Sequence, residues 1–398
     1  ASDVYKRQTL GNDNTGGVSF PFYSRFELYQ GAVASNGFMN NLGDYAFGDL
    51  VTKGLVPGAI ANSLATWEKS NKANIALDAT LFNNLNFTVD LFTERRTNIL
   101  TQRTAEVPSS FGGTLPLENI GIVNNKGIDL SLNYHNSIGK VNYSVGGNFT
   151  FARNKIVEMA EAEGTSEYMR QTGRPINGYY GYKTDGIFQS QEEIDSYAKQ
   201  EVAGVGYETQ IGDIKYVDVD GNGVVNSDDM TYLGYGNIPE IIYGINGSLN
   251  WKNFDFSFLM QGAANAQVYL KGGIILPYFN QGNLPQFWVN EAWTEENPSN
   301  RYPRLAESVH NFPATDVPGV QTYLYNASYL RLKNIEVGYT FPTSWLSRIG
   351  VTNARVYVNA QNLFTISNVP QIDPENTEQE GWTYPQMKSF NFGLSLQF

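Results

Sequence analysis

The run Asp218–Asp229, DVDGNGVVNSDD, sets oxygen-bearing side chains at alternating positions around a central glycine. A twelve-residue calcium loop takes its oxygens from positions one, three, five, seven, nine and twelve, and needs glycine at six for the sharp turn. In this chain those positions fall on Asp218, Asp220, Asn222, the main-chain carbonyl of Val224, Asn226 and Asp229, with Gly223 at the turn. Hard oxygen donors in that register hold Ca2+ for structure and offer no nucleophile. The twelfth position is Asp where a bidentate Glu is usual, which shortens the reach and weakens binding. The competing reading is a glycine-rich turn whose carboxylates face water. No pair of long helices flanks the run, so its setting is not that of a helix-loop-helix calcium protein.

Catalytic chemistry finds little else to work with. The chain has no cysteine and only two histidines, His135 and His310, neither in a metal or nucleophile motif. The acidic pairs Glu192–Glu193 and Asp228–Asp229 fall in a helix cap and in the calcium run itself, so no carboxylate dyad suggests glycosidase chemistry. The sequence therefore reads as a non-enzyme. Its net charge of -12, with 39 acidic against 27 basic residues, argues against nucleic acid as a partner.

The elements that must position the loop are strands. Aromatics make up 14% of residues, there are 39 glycines and charged residues reach only 17%, a strand-rich profile. Strict alternation recurs along the chain. Ile75, Leu77, Ala79 and Leu81 oppose Asn74, Asp78 and Thr80; Leu85, Phe87, Val89 and Leu91 oppose Asn86, Thr88 and Asp90. The same pattern sets Ile128, Leu130, Leu132 and Tyr134 against Asp129, Ser131 and Asn133, and Val141, Tyr143, Val145, Phe149 and Phe151 against Asn142, Ser144, Asn148 and Thr150. Five later copies, ending in SFNFGLSLQF, bring the clear strands to nine, with weaker candidates near Phe26 and Tyr179.

Such strands, about 9 to 11 residues long, with polar faces rich in Asn, Ser and Thr, and with tight turns alternating with long loops, describe an antiparallel transmembrane β-barrel better than a soluble sandwich or propeller. Tyr134, Trp251, Tyr339 and Phe341 stand at strand ends, where interfacial girdles lie. The last strand ends on Phe398; a bare edge of this kind suits a barrel in which the last strand pairs with the first. No stretch approaches the roughly 18 apolar residues of a membrane helix.

Several segments carry a resemblance. NIGIVNNKGIDLSLNYHN, GYYGYKTDGIFQSQEEIDSY, GDIKYVDVDGNGVVNSDDMTYLGYGNIPEIIYGINGSL, AWTEENPSNRYPRL and ASYLRLKNIEVGYTFP are similar, in order and spacing, to the C-terminal half of SusC-like TonB-dependent transporters of the Bacteroidetes, the RagA/SusC family, over about Leu64 to Phe398. The resemblance implies an outer-membrane importer whose 22-stranded barrel is plugged by an N-terminal domain and powered by the TonB complex. Its SusD-like lipoprotein partner caps the mouth, and its substrates are mostly oligosaccharides, sometimes peptides. On that reading residues 9–398 are the C-terminal part of the barrel, lacking plug and first strands, and residues 1–8 are a non-native leader. Two alternatives stay open: a TonB-dependent receptor for a siderophore, cobalamin or peptide, and a soluble calcium-dependent carbohydrate-binding β protein.

Two local expectations complete the reading. Ser190 and Glu193 have capping-box spacing for a short surface helix. Tyr278, Phe279, Phe287, Trp288, Trp293 and Tyr302 lie among Asn, Gln and Pro; they could stack on sugars, but pinning a long loop to itself or to the lipoprotein is the preferred role. The loop that begins near Gly178 is expected to hold too little apolar surface to order itself, each fixed residue costing about 1 to 2 kcal/mol, so that calcium supplies its rigidity.

Overall fold

A computed structural model describes residues 60–103, 115–203, 206–279, 282–298, 301–306, 310–311, 319–346, 350–376 and 379–398, together with the backbone of Phe26–Leu28, Asp44–Phe47, Leu50–Lys53 and Leu55–Pro57. The weak strand candidate near Phe26 is realised as Phe26–Leu28, paired antiparallel with Leu55–Pro57. Residues 1–8 lie outside the described part.

Nine long strands carry the sequence alternation: β1 (Lys69–Leu81), β2 (Leu85–Gln102), β3 (Leu117–Ile138), β4 (Val141–Glu158), β5 (Ile241–Trp251), β6 (Phe254–Ala264), β7 (Tyr329–Thr340), β8 (Asn353–Gln361) and β9 (Ser389–Gln397). They hydrogen-bond in one sheet in the order β9-β8-β7-β6-β5-β4-β3-β2-β1, with the short strand Thr365–Ser367 beside β7 as a tenth. Every strand thus lies next to its sequence neighbours. Among the described residues the path ends on β1 and β9, which do not pair with each other. The β1–β2 turn puts Phe82 and Asn83 at φ 55° and 61°, the double positive φ of a type I′ turn that matches strand twist.

Contacts divide the chain into two compact units, Ala1–Ala73, Thr93–Asn125 and Asn154–Thr165 in one, and Asn74–Phe92, Lys126–Arg153 and Ser166–Phe398 in the other. Within the first, Asn119 is the tie: its amide donates to the carbonyls of Thr66 (2.9 Å) and Asn98 (2.7 Å) and accepts from the Thr66 N–H (2.7 Å).

Within the second, the two faces of the sheet differ in kind. On one, Ile245, Leu249, Trp251, Phe254, Val337, Val358, Phe392 and Leu394 stand 40% to 80% exposed, with no layer of protein over them. On the other, side chains bond across strands: Ser144 to Ser248 at 2.7 Å, Arg355 to Asp255 and to Glu336 (2.6 Å), and Asn391 to Asn359 at 3.2 Å. A soluble sandwich would bury the apolar face and wet the polar one. Here the greasy face is the bare one, the arrangement of a strand between lipid and lumen.

Rings gather where the hairpins turn. Trp251 and Phe254 lie 6.4 Å apart, Phe254 and Tyr339 4.8 Å, and Tyr339 and Phe341 5.3 Å, forming the girdle expected from the sequence. Gly247, opposite Phe258 in the β5–β6 register, lies beneath that ring; a Cβ there would come within 2.5 Å of it, so a larger residue would have to displace the ring.

β7 contains one irregularity with a clear purpose. Leu259 pairs with Asn334 but Met260 with Leu332, so Lys333 is the extra residue of a β-bulge. Ile335, Val337 and Tyr339 face lipid on one side of it, and without the bulge Lys333 and Arg331 would follow them. The slip puts Leu332 and Leu330 on that side of the sheet instead, Leu332 buried and Leu330 partly exposed. Arg331 turns inward, almost fully buried, to Asp373 (2.7 Å) and Glu375 (3.3 Å), and Lys333 reaches Glu375 at 2.7 Å.

The faces predict opposite responses to one side chain. Val145→Arg, in the full-length protein, should lower the folded, heat-modifiable fraction in outer membranes, with a cost of about 2 to 4 kcal/mol near the midplane. Asn250→Arg, on the polar face, should assemble normally.

Candidate functional site

Two long connections leave the sheet at the same ends of the strands, residues 159–240 between β4 and β5 and residues 265–328 between β6 and β7. They fold together into a loop domain with its own core. Tyr182, Ile214, Tyr216 and Val225 come from the first connection; Val268, Leu270, Ile275, Trp288, Tyr302, Val320, Tyr323 and Tyr325 come from the second, and all are buried. A small sheet stitches the two, with Tyr179–Tyr182 lying between Thr231–Gly234 and the parallel strand Gly319–Val320; within the second connection Gln267–Tyr269 pairs with Leu324–Asn326. The candidate strand at Tyr179 therefore belongs to the loop domain and not to the large sheet.

A buried polar spine runs through this core. Asp213, fully buried, accepts from Arg304 Nε (2.7 Å), Asn311 Nδ2 (2.8 Å), the Tyr207 hydroxyl (2.8 Å) and the Gln210 N–H (2.9 Å). Asn311 accepts from the Ile214 N–H at 2.9 Å, while the hydroxyls of Tyr216 and Tyr323 donate to the carbonyls of His310 (2.5 Å) and Asn311 (2.8 Å). Burial holds both phenols well above their ordinary pKa, so they remain neutral donors. His310 stacks on Tyr207 with ring centres 4.8 Å apart, and burial lowers its pKa below the usual 6.5 against the opposing pull of the Ile214 carbonyl and Asp213.

The acidic run folds as a tight loop on this domain. Asp218 accepts from the N–H groups of Gly221 (2.7 Å) and Gly223 (2.8 Å), and Asp229, fully buried, from those of Val219 (2.7 Å) and Asn226 (2.8 Å). Burial opposes the charge of Asp218, but the Gly223 and Gly221 amides outweigh it and hold its pKa below the usual carboxylate value. Carboxylate oxygens of Asp218, Asp220 and Asp229 all lie within 4.8 Å of one another. Val224–Val225 pairs in parallel with Lys199–Gln200, and the carbonyls that accept from that neighbour are those of Gly223 (2.9 Å) and Val225 (2.8 Å). Strand alternation then turns the Val224 carbonyl the other way. The remaining two predicted ligands are otherwise engaged: Asn222 Oδ1 accepts from the Val224 N–H, and Asn226 Oδ1 caps the turn Ser227–Asp229 through the Asp228 N–H.

Comparison with known proteins decides the family. Residues 16–186 match the family described as "TonB dependent receptor-like, beta-barrel". The chain is 31% identical over 370 residues to TonB-dependent receptor P26 of Formosa agariphila, and 28% identical over 368 residues to TonB-dependent receptor SusC of Bacteroides thetaiotaomicron. The chain belongs to the TonB-dependent receptor β-barrels. These matches take in 87% and 90% of the chain but 36% and 35% of the relatives, so it spans about a third of their length. Among solved structures, the RagAB peptide transporter aligns at 25% identity with a TM-score of 0.63, over 89% of this chain and 38% of that one. The "closed-closed" state of the RagAB peptide importer aligns over 100% and 40% with a TM-score of 0.65 at 23% identity, a likeness of fold.

As a TonB-dependent receptor barrel the protein resides in the outer membrane, and its family is one of transporters. The structure corrects one expectation about the loop. The segment beyond Gly178 is ordered without relying on its own apolar surface alone, because the second connection supplies most of a shared core. Taken alone that segment reads as too polar. The aromatic run behaves as preferred: Trp288 is fully buried and donates to the Ile275 carbonyl at 2.7 Å, Tyr302 bonds Tyr325 at 2.6 Å, and Trp293 bonds Gln189 at 2.9 Å, while Tyr278 stays exposed. The predicted helix forms as Gln191–Ser196, capped by Ser190, and Lys215 at 2.6 Å holds the Glu193 carboxyl below the usual range. Asp213, Arg304 and Asn311 carry no sequence motif, and His310 stands out in the sequence only as one of two histidines outside any catalytic motif. Their only signal is a rare pair of polar residues, His310 and Asn311, beside an apolar core.

His310 gives this domain a pH dependence. Its pKa is lower folded than unfolded, so the unfolded chain binds the proton more readily; stability is full above about 6.5 and falls as pH drops below that value. Amide exchange at Ile214–Tyr216, corrected for intrinsic rates, should quicken on acidification, and His310→Gln should flatten the response.

Proposed function

We propose that this chain forms the substrate-facing barrel wall and loop domain of a SusC-type nutrient importer. It would take up oligosaccharides with a SusD-like lipoprotein over its mouth and draw energy from the TonB complex through a plug outside this chain. Residues 9–398 then serve as the C-terminal part of the barrel. The observation that carries this reading is a sheet with a cross-bonded polar face, joined at one end to an independently packed loop domain. Such a wall lines an aqueous path, and such a domain is rigid enough to meet both a lipoprotein lid and a ligand. Peptides are the second reading, favoured by the likeness to the RagAB peptide transporter.

Disruption of the gene should abolish growth on the oligosaccharides that its host consumes while leaving growth on their monosaccharides, which pass porins, intact. Loss of growth on peptides alone would select the second reading. Unchanged growth on both would remove the importer assignment.

The calcium loop fits the same picture as a structural element. The convergent carboxylates of Asp218, Asp220 and Asp229 and the outward Val224 carbonyl suit a hard cation, and Asn222 and Asn226 stand in the positions that would complete the shell. With the core already formed, Ca2+ would stiffen the turn and not order the whole connection. Changing Asp218 and Asp220 together to Ala should make protease cleavage near the turn insensitive to chelator, whereas the parent should be cut faster once calcium is removed. Equal cleavage of the parent with and without calcium would reduce the motif to a turn.

A further inference from the structure

On the polar face of the sheet, where the strands meet the loop domain, lies a cavity of about 260 Å³. Its wall is built on rigid elements. Ile242 of β5, Gln261 and Ala263 of β6 and Tyr329 of β7 lie side by side there, Ile242 opposite Ala263 and Ala263 opposite Tyr329 in the strand registers. These positions share the face of Ser248 and Asp255, so the cavity opens toward the lumen and away from lipid. The loop domain closes it with the small side chains of Ala266 and Ala327 and with the amides of Asn237 and Gln267. Gln267 Oε1 is buried without a hydrogen-bond donor.

The electrostatics limit what could enter. Among the described residues the only charged side chain on the wall is Glu375, and its carboxylate is bonded to Lys333 at 2.7 Å and to Arg331 at 3.3 Å, while Arg331 also binds Asp373 at 2.7 Å. Two cations and two carboxylates cancel within one network. An anionic ligand would find no uncommitted cation on this wall, and a cationic one no uncommitted carboxylate; a neutral ligand with hydroxyls would find amides that both donate and accept. The volume equals roughly nine water molecules' share of the liquid, enough for one ring-sized unit and not for a chain.

We propose that this cavity is a docking subsite for a single uncharged saccharide unit, held by Asn237, Gln261 and Gln267 on the lumen wall and presented as the end or a branch of the transported glycan. The inference rests on the oligosaccharide reading above and adds to it a place and a charge preference. The bulged strand is part of the device: by turning Arg331 and Lys333 inward it supplies the cations that neutralise Glu375.

The test uses full-length transporter in its native outer membrane, with labelled malto-, xylo- and manno-oligosaccharides as neutral probes and oligogalacturonides as their charged counterpart. Ala263→Trp fills the cavity, and Asn237→Asp, at a loop position, adds a charge without enlarging a side chain. With surface level and heat-modifiability equal to the parent, each variant should lose roughly tenfold or more of neutral oligosaccharide uptake, the scale of one ligand hydroxyl deprived of its hydrogen-bond partner. If Ala263→Trp fails to assemble, Asn237→Asp decides alone. Parental uptake that is undiminished in the variants would overturn the subsite while leaving the importer reading intact. A parent that takes up oligogalacturonides in preference to the neutral probes would overturn the charge preference. A parent that takes up none of the probes would overturn the oligosaccharide reading and the subsite together.

Discussion

In hydrocarbon no water is present to meet a backbone amide, and each N–H or C=O left unmet costs several kcal/mol. This constraint organises the large sheet. It makes every strand bond to its neighbours, fixes the alternation of side chains at period two, and so assigns each residue to lipid or lumen by parity alone. The bulge at Lys333 follows from it: two cations of the wrong parity are brought inside by one extra residue, at the cost of a single disturbed ladder position. The ion network, the neutral cavity wall and the inward Arg331 all descend from that correction.

The loop domain answers a different constraint. In water its backbone could be left solvated, so order has to come from burying apolar surface, and the first connection contributes only a few of the core residues. Interleaving them solves this, since Val225 and Tyr216 from one share a single buried cluster with Trp288 and Tyr323 from the other. The buried Asp213, paired with Arg304 and three further donors, fixes which surfaces meet, because any slip would strand a charge. The acidic turn sits on the rim of this core, with Val225 inside it and Asp218 and Asp220 at the surface.

The nine strands were legible because period-two alternation is a local signal that lipid and lumen enforce at every residue. The phase slip in β7 was legible too in principle: Leu330 and Leu332 are even-numbered where Ile335 and Val337 are odd, with lysine at the change. The acidic run was readable as six oxygens in register, and the fold brings three of its carboxylates together. What could not be read was the partnership of the two connections. A core shared by segments about a hundred residues apart leaves no periodicity in either, and a cavity assembled from three strands and three loops leaves none at all.

The bare lipid face also bears on how such a protein can change over generations. A side chain facing acyl chains needs to be apolar but need not fit a shape, so exchanges among Leu, Ile, Val and Phe along β5 to β9 meet no steric selection. Trp288 and Tyr323, enclosed on all sides, have no comparable freedom. Drift should therefore run fast over the membrane wall and slowly through the loop-domain core, an inversion of the usual contrast between variable loops and constrained strands. A chain built this way can part from its relatives to under a third identity while keeping its strand register, since the property under selection on each wall position is its polarity.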